Sequence, residues 1–203
     1  TQSAEAQREF ARAGFSVKEI TEALTPALGL AAAGQLSMAD AASVTGEALR
    51  GFGLATTETN RIVDVFAQAA NSSNQTVADI GESMKFAAPG AKLLGVELEE
   101  TAAAMSLLAD RGIKASVSGT ALSKTFSTFL GDLDADAEGL GKLRDQLFDA
   151  EGNFVGLAEA IRVMKDGGID AGDAFGIFGE RAGRAMAVLL DLGPEALERT
   201  ADG

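Results

Sequence analysis

The chain contains no Cys, no His, no Trp and no Tyr. Without Cys, disulfides and thiolate metal sites are excluded. Without His there is no imidazole base and no Ser-His-Asp relay. Stacking platforms for sugars or bases fall to the 11 Phe alone, and these sit mostly in apolar-periodic stretches that read as core. Proline is limited to three residues, and β-branched runs are absent. No apolar run approaches the ~20 residues of a membrane-spanning helix; Ala102 to Ala109 is interrupted by Ser106. No basic-then-apolar leader opens the chain, and Thr1 in place of Met marks either a trimmed start or a fragment of a longer chain.

Positive charge is also short. Against 30 acidic residues stand 17 basic ones, for a net charge of −13. The excess is even: −6 over residues 1–100 and −7 over residues 101–203, so no separate charged arm is present. Sequence-independent DNA binding needs a basic face, and none is visible. An acidic chain can still sit in a channel through which DNA later passes.

What is abundant is helix former. Ser16 with Glu19, Ser37 with Asp40, and Thr76 with Asp79 have capping-box spacing. Apolar residues then recur at helical spacing: Ala41, Val44, Ala48, Leu49 and Phe52; Ile62, Val63, Phe66, Ala67 and Ala70; Val77, Ile80 and Met84; Leu98, Ala102, Met105 and Leu108. The breaks place a Gly before an apolar residue, as in Gly14-Phe15, Gly53-Leu54, Gly95-Val96, Gly112-Ile113 and Gly168-Ile169, which suggests left-handed helix ends. Pro26 and Pro89 mark kinks or starts, and Pro194 suits the first position of a helix. No side-chain repeat is strong enough to define a solenoid. Phe148 to Val155 has apolar flanks around an acidic Gly-Asn turn, which suits a small β-hairpin or structured loop. The expected fold is all-α: multiple short helices joined by Gly-marked turns, with one small β-hairpin near 148–155. Three parts are expected: a helical core over 1–131, an acidic linker or helix over 132–147, and a hairpin with closing helices over 148–203.

Motifs that carry chemistry fail on inspection. Asp132, Asp134 and Asp136 begin like a calcium loop, but Ala137 and Leu143 stand where Gly and Glu are needed. Gly139-Leu140-Gly141-Lys142 lacks the first Gly and the final Ser or Thr of a phosphate loop. Gly51 and Gly53 have Thr56 in place of the third Gly of a dinucleotide fingerprint. Asn71-Ser72-Ser73 and Asn74-Gln75-Thr76 fit a glycan acceptor pattern but read more simply as cap and loop. Among 30 acids, a carboxylate pair has no specificity for glycan cleavage. No catalytic, cofactor-binding or metal-ligating residue is named, and no cofactor is expected. The informative segment is a small-residue strip. Gly172 and Gly176 are four apart, as are Gly179, Gly183 and Ala187. On a helix such strips let another backbone approach closely, either inside one protomer or between copies. Arg181 and Arg184 flank the strip, positioned to anchor acidic groups.

In order and spacing, several stretches resemble the shared core of phage tail tape measure proteins. They are Leu30-Ala31-Ala32-Ala33-Gly34, Ala48 to Leu54, Val63 to Asn74, Val77 to Lys85, Leu94 to Ala104, and Leu108 to Lys114 running on to Gly119-Thr120-Ala121-Leu122. Phe148 to Phe154 is similar to the family's turn after the core, and Phe178 to Ala185 to its closing helix. Glu97 departs from the pattern, at a cap position where Ser or Asp is expected. The resemblance implies a structural, non-enzymatic tail protein in a phage, prophage or gene transfer agent. Such a protein scaffolds polymerisation of the tail tube protein and sets tail length. It sits in the tail lumen or at the distal, baseplate end, and leaves through the tube when DNA is delivered. Implied partners are the tail tube protein, distal tail or baseplate hub proteins and tail assembly chaperones, with self-association as a trimer or hexamer. It would be made in the host bacterial cytoplasm, with no sequence-specific nucleic acid partner and no transmembrane segment. The competing reading is a helical tail-assembly adaptor or chaperone-like module.

Overall fold

In the computed structural model, which describes residues 2–131 and 140–202, the chain is all-α. The helices are α1 Gln2–Arg12, α2 Val17–Ala33, α3 Met38–Phe52, α4 Thr59–Ser72, α5 Val77–Leu94, α6 Leu98–Asp110, α7 Ala115–Leu130, α8 Arg144–Leu147, α9 Leu157–Asp166, α10 Asp173–Leu192 and α11 Pro194–Asp202. The acidic run Asp132, Asp134 and Asp136, with Ala137 and Gly139, lies outside the described residues.

Local chemistry starts several helices. Ser16 and Thr76 form reciprocal capping boxes with Glu19 and Asp79. Ser37 forms half of one: its hydroxyl accepts from the Asp40 amide at 3.0 Å and donates to the Asp40 carboxylate at 2.7 Å, so the acid does not reach back to the cap amide. Glu97 makes no side-chain cap bond. Gly14, Gly53, Gly95, Gly112 and Gly168 all take the expected positive φ, but glycine is not the general mark of a helix end. Gly53 and Gly95 end α3 and α5 with φ of 68° and 80°. By contrast α4 ends on Ser73 in extended backbone, and after Gly34 (φ −89°) it is Gln35 that takes the positive φ. Pro26 and Pro89 lie inside α2 and α5 and so are not helix starts, while Pro194 opens α11.

The helices stack in two rows. Helices α1, α3, α5 and α7 lie side by side, and α2, α4 and α6 form the second row. The first row begins at residues 2, 38, 77 and 115, steps of 36, 39 and 38 residues. Contacts between neighbours repeat the step. Arg50 donates to the carbonyls of Ala13 and Gly14, Asn74 donates its amide to Asp110, and the Ser83 and Ser118 hydroxyls meet at 2.8 Å. Each helix therefore runs parallel to the next in its row. This is a short stack of αα-hairpins, of the kind in which each repeat docks on its predecessor. The chain's side chains conceal that repeat; the backbone carries it. The stack continues with α10 beside α7 and α11 beside α6, and one apolar cluster runs from Ala6 to Leu197.

The rows close through small residues. A Cβ on Gly81 would meet the Val44 side chain at 2.5 Å, and one on Gly51 would meet the Ala88 Cβ at 2.7 Å. The tightest point is Gly119, where a Cβ would lie 2.2 Å from the Ser83 carbonyl oxygen. Helix α6 is buried nearly all round, including Thr101, Ala102, Ala103, Ala104, Met105 and Ser106, because α4, α5, α7, α10 and α11 surround it. An Ala-rich helix fits such a place because its neighbours can come close.

The hairpin expected near 148–155 does not form. One antiparallel bridge joins Phe148 and Phe154, and no strand occurs among the described residues. The turn is held instead by Asp149, whose carboxylate accepts from the amides of Glu151 and Asn153 and from the Asn153 side chain. Helix α8 ends at Leu147 and α9 begins at Leu157, which leaves no room for a ladder between them. The expectation that Phe residues are core holds for Phe10, Phe66, Phe126, Phe129 and Phe178, but Phe86 and Phe175 are each 45% exposed.

Gly119→Ala is expected to destabilise the protein by about 3 kcal/mol, because the backbone of α5 must move to admit the methyl group. Gly95→Ala, with open space around it but φ of 80°, should cost about 1 kcal/mol from backbone strain alone. Urea unfolding measures both. Equal losses would show that the α5–α7 approach is not the tighter constraint.

Candidate packing and self-association surface

The small-residue strip lies on α10, and α10 is not one straight helix. Gly179 has φ 74° and ψ 176°, which breaks the helix into a short arm, residues 173–178, and a long arm, residues 180–192. Gly172, Gly176 and Gly179 are exposed, Gly183 is buried and Ala187 is half-buried. Gly183 faces the short arm: a Cβ there would lie 2.7 Å from the Phe175 Cα and 2.8 Å from the Ala174 carbonyl oxygen. The short arm thus folds back on the long one. Arg181 and Arg184 are exposed, and neither makes an ion pair among the described residues.

The short arm is fixed by aromatics. Phe178 meets Phe129 of α7 edge-on at 5.5 Å, Phe129 meets Phe154 at 5.1 Å, and Phe154 meets Phe148 at 5.7 Å. This group joins the turn at 148–155, the end of α7 and the start of α10. Sequence reasoning placed these Phe residues in the core but had no signal for their meeting, since they lie far apart along the chain.

Charge clamps tie neighbouring helices together. Arg61 of α4 grips Glu99 of α6 with two bonds of 2.6 and 2.7 Å, and reaches Glu97 at 2.9 Å and Glu58 at 3.5 Å. Glu97 therefore spends its carboxylate on Arg61 and not on capping α6. Those bonds hold the Arg61 guanidinium protonated even more firmly than usual, and the same Arg61 bond holds Glu99 below the ordinary carboxylate range. Arg162 joins Glu159 to Glu198 of α11. Glu100 accepts from the Ala158 amide at 2.7 Å, so it supplies the cap that Gly156 cannot give α9. An open groove of about 490 Å³ lies here, lined by Glu97, Glu99, Glu100, Leu197 and Glu198 among others. Its glutamates are already engaged in structural bonds. No group of Asp and Glu among the described residues is arranged to hold a metal ion, and no helix there is long and apolar enough to cross a membrane.

The family model for phage-related minor tail proteins matches residues 1–180. The chain belongs to the phage-related minor tail protein family. It is 34% identical over 204 residues to the tape measure protein of Pneumococcus phage Dp-1, covering 98% of this chain and 18% of that protein. It is 29% identical over 206 residues to the probable tape measure protein of Escherichia phage P2, covering 93% of this chain and 24% of that one. The chain thus spans about a fifth of the length of these relatives. No solved structure matches it. The family match makes the chain part of a structural phage tail protein, and both relatives carry the name of a tape measure protein.

The Arg61 clamp makes the tail protein sensitive to acid. Because the folded-state pKa of Glu99 is lowered, its stabilisation is fully present above the unfolded value of about 4.3 and is lost as pH falls through the folded value. Glu99→Gln should therefore flatten the fall in melting temperature between about pH 5 and pH 3, and cost about 1 kcal/mol at pH 7 for a half-exposed bidentate pair. An unchanged acid profile in the variant would remove Glu99 from the account.

Proposed function

We propose that the chain is the folded module of a tape measure protein that scaffolds tail tube assembly, sits in the tail lumen or at its distal, baseplate end, and leaves through the tube on DNA delivery. The observation that carries this reading is the similarity to two tape measure proteins over nearly the whole chain. Its partners in this reading are the tail tube protein, distal hub proteins and assembly chaperones. Copies associate as a trimer or hexamer, with Gly172, Gly176, Gly179, Gly183 and Ala187 as the packing strip. Residues 1–131 form the stack, 132–147 join it to the remainder, and 148–203 close it. The net charge of −13 suits a lumen that later passes DNA, because like charges keep the wall from binding the phosphate backbone. Tail length is set by the tape measure protein as a whole. The unbroken helices here are short, α5 being the longest at 18 residues among those described, so measurement falls to sequence outside the matched region.

The test is tail length by electron microscopy in phage carrying this protein, with and without an in-frame helical insertion between Gly131 and Gly139. Tails of normal length are expected, and deletion of residues 2–131 should abolish tails. Lengthening by about 1.5 Å per inserted residue would make this region part of the ruler itself and overturn its assignment as a folded anchor.

A further inference from the structure

The break in α10 is the one place where two glycines, far from any connecting loop, are both needed for a single arrangement. At Gly179 nothing lies within 4 Å of an added Cβ, so space does not demand glycine there. The backbone does, since φ 74° with ψ 176° is a conformation that L side chains avoid. At Gly183 the reverse holds. Its backbone is helical, and a Cβ is excluded only because the Phe175 Cα and the Ala174 carbonyl lie 2.7 and 2.8 Å away. In a straight helix both positions would favour alanine over glycine. The rest of the segment raises no obstacle to a straight helix. Asp173 to Leu192 contains no proline and reads Ile177-Phe178-Gly179-Glu180-Arg181-Ala182 through the break, and Asp173 suits a helix N-terminus.

Phe178 anchors the folded-back arm together with the buried Ala174 and the half-buried Ile177. Phe178 is 2% exposed and packs on Phe129, while Phe175 on the same arm is largely open to solvent. The arm is thus held by Phe178, with Ala174 and Ile177 beside it, and permitted by two absent methyl groups.

We infer that α10 is a two-state hinge at Gly179: folded back on itself when Phe178 is seated against Phe129, and a continuous helix over 173–192 when Phe178 is released. The straight state has a geometric consequence. At 100° per residue, Gly172, Gly176, Gly179, Gly183 and Ala187 fall within an arc of about 80°, one continuous small-residue edge. In the folded-back state Gly183 is covered by its own arm and the edge does not exist. That the edge then receives another copy rests on the self-association reading given above; the hinge itself does not.

The absence of cysteine makes a direct test clean. Asp173→Cys and Asp191→Cys, carried on the full chain and spin-labelled, report the arm-to-arm distance. A straight helix separates the two Cα atoms by about 27 Å at 1.5 Å per residue. The labelled parent is expected to show a shorter principal distance. Gly179→Ala with Gly183→Ala should move the population to about 27 Å with helix content by circular dichroism kept or raised. A short distance persisting in that double variant overturns the hinge. Should the double variant unfold, Phe178→Ser in the glycine background decides the matter. Release of the anchor should lengthen the distance, and it should protect the amides of Arg181 and Ala182 from hydrogen exchange. The carbonyls of Ile177 and Phe178 then become their helical partners. An arm that merely frays, leaving those amides unprotected, also overturns it.

Discussion

The stack depends on how closely the backbone of α5 meets its neighbours on both sides. Val44 of α3 sits over Gly81, Ala88 sits against Gly51, and the Ser83 carbonyl lies under Gly119. Alanine and glycine surfaces bury little apolar area per residue, and apolar burial stabilises by roughly 25 cal/mol per Å². An Ala-rich core therefore needs close approach, where dispersion contacts multiply. Every larger side chain at these points would lever one row apart. Because each hairpin rests on the one before it, the displacement would pass down the stack to α10 and α11. Small residues in this protein are thus structural specifications and not an absence of information.

That constraint explains what was legible in the sequence. The caps at Ser16 and Thr76 were readable because they depend on two residues three apart. The buried faces of α3 to α6 were readable from spacing alone; Ala41, Val44, Ile62, Phe66, Ile80, Met84 and Met105 are all buried. The repeat of about 38 residues was not, because its shared features are backbone positions and helix starts. Ser37-Met38-Ala39-Asp40 and Thr76-Val77-Ala78-Asp79 share a pattern, but the equivalent start at Lys114-Ala115 does not. The packing strip is legible as a spacing, but the break at Gly179 is not. Nothing in the spacing of glycines tells a helix that contains them from one that bends at one of them. Phe86 misled for a similar reason: it follows the buried Met84 but falls outside the buried register of Met84, Ala87 and Ala91.

The acidity of the chain is managed by sharing. With 17 cations for 30 acids, one arginine must serve several carboxylates, and Arg61 serves three while Arg162 serves two. Both arginines join helices that lie far apart along the chain, α4 to α6 and α9 to α11. Arg50 does related work without a carboxylate, donating to the carbonyls of Ala13 and Gly14 and covering the Phe15 ring at 4.1 Å. These three arginines are thus spent at junctions, whereas Arg181 and Arg184 stand exposed without an ion pair among the described residues. A chain of net charge −13 repels nucleic acid at low salt and is screened within about 10 Å at 0.1 M ionic strength.

The geometry also bears on whether such a module could be a ruler. Neighbouring helices in a row stand about 8–10 Å apart, and each step along the row consumes 36 to 39 residues. The stack therefore gains roughly 0.25 Å of length per residue, against 1.5 Å for a straight helix. A tail measured by stacked hairpins would need about six times as much protein for the same length. The stack instead concentrates surface. Its helices display clamps, grooves and an outer edge of α5 where Phe86 and Leu93 face solvent. Within the proposed function, the economy of length and the display of surface suit an anchor better than a measuring arm. Straightening α10 would change that display locally, at one glycine, while leaving the remainder of the stack as it is.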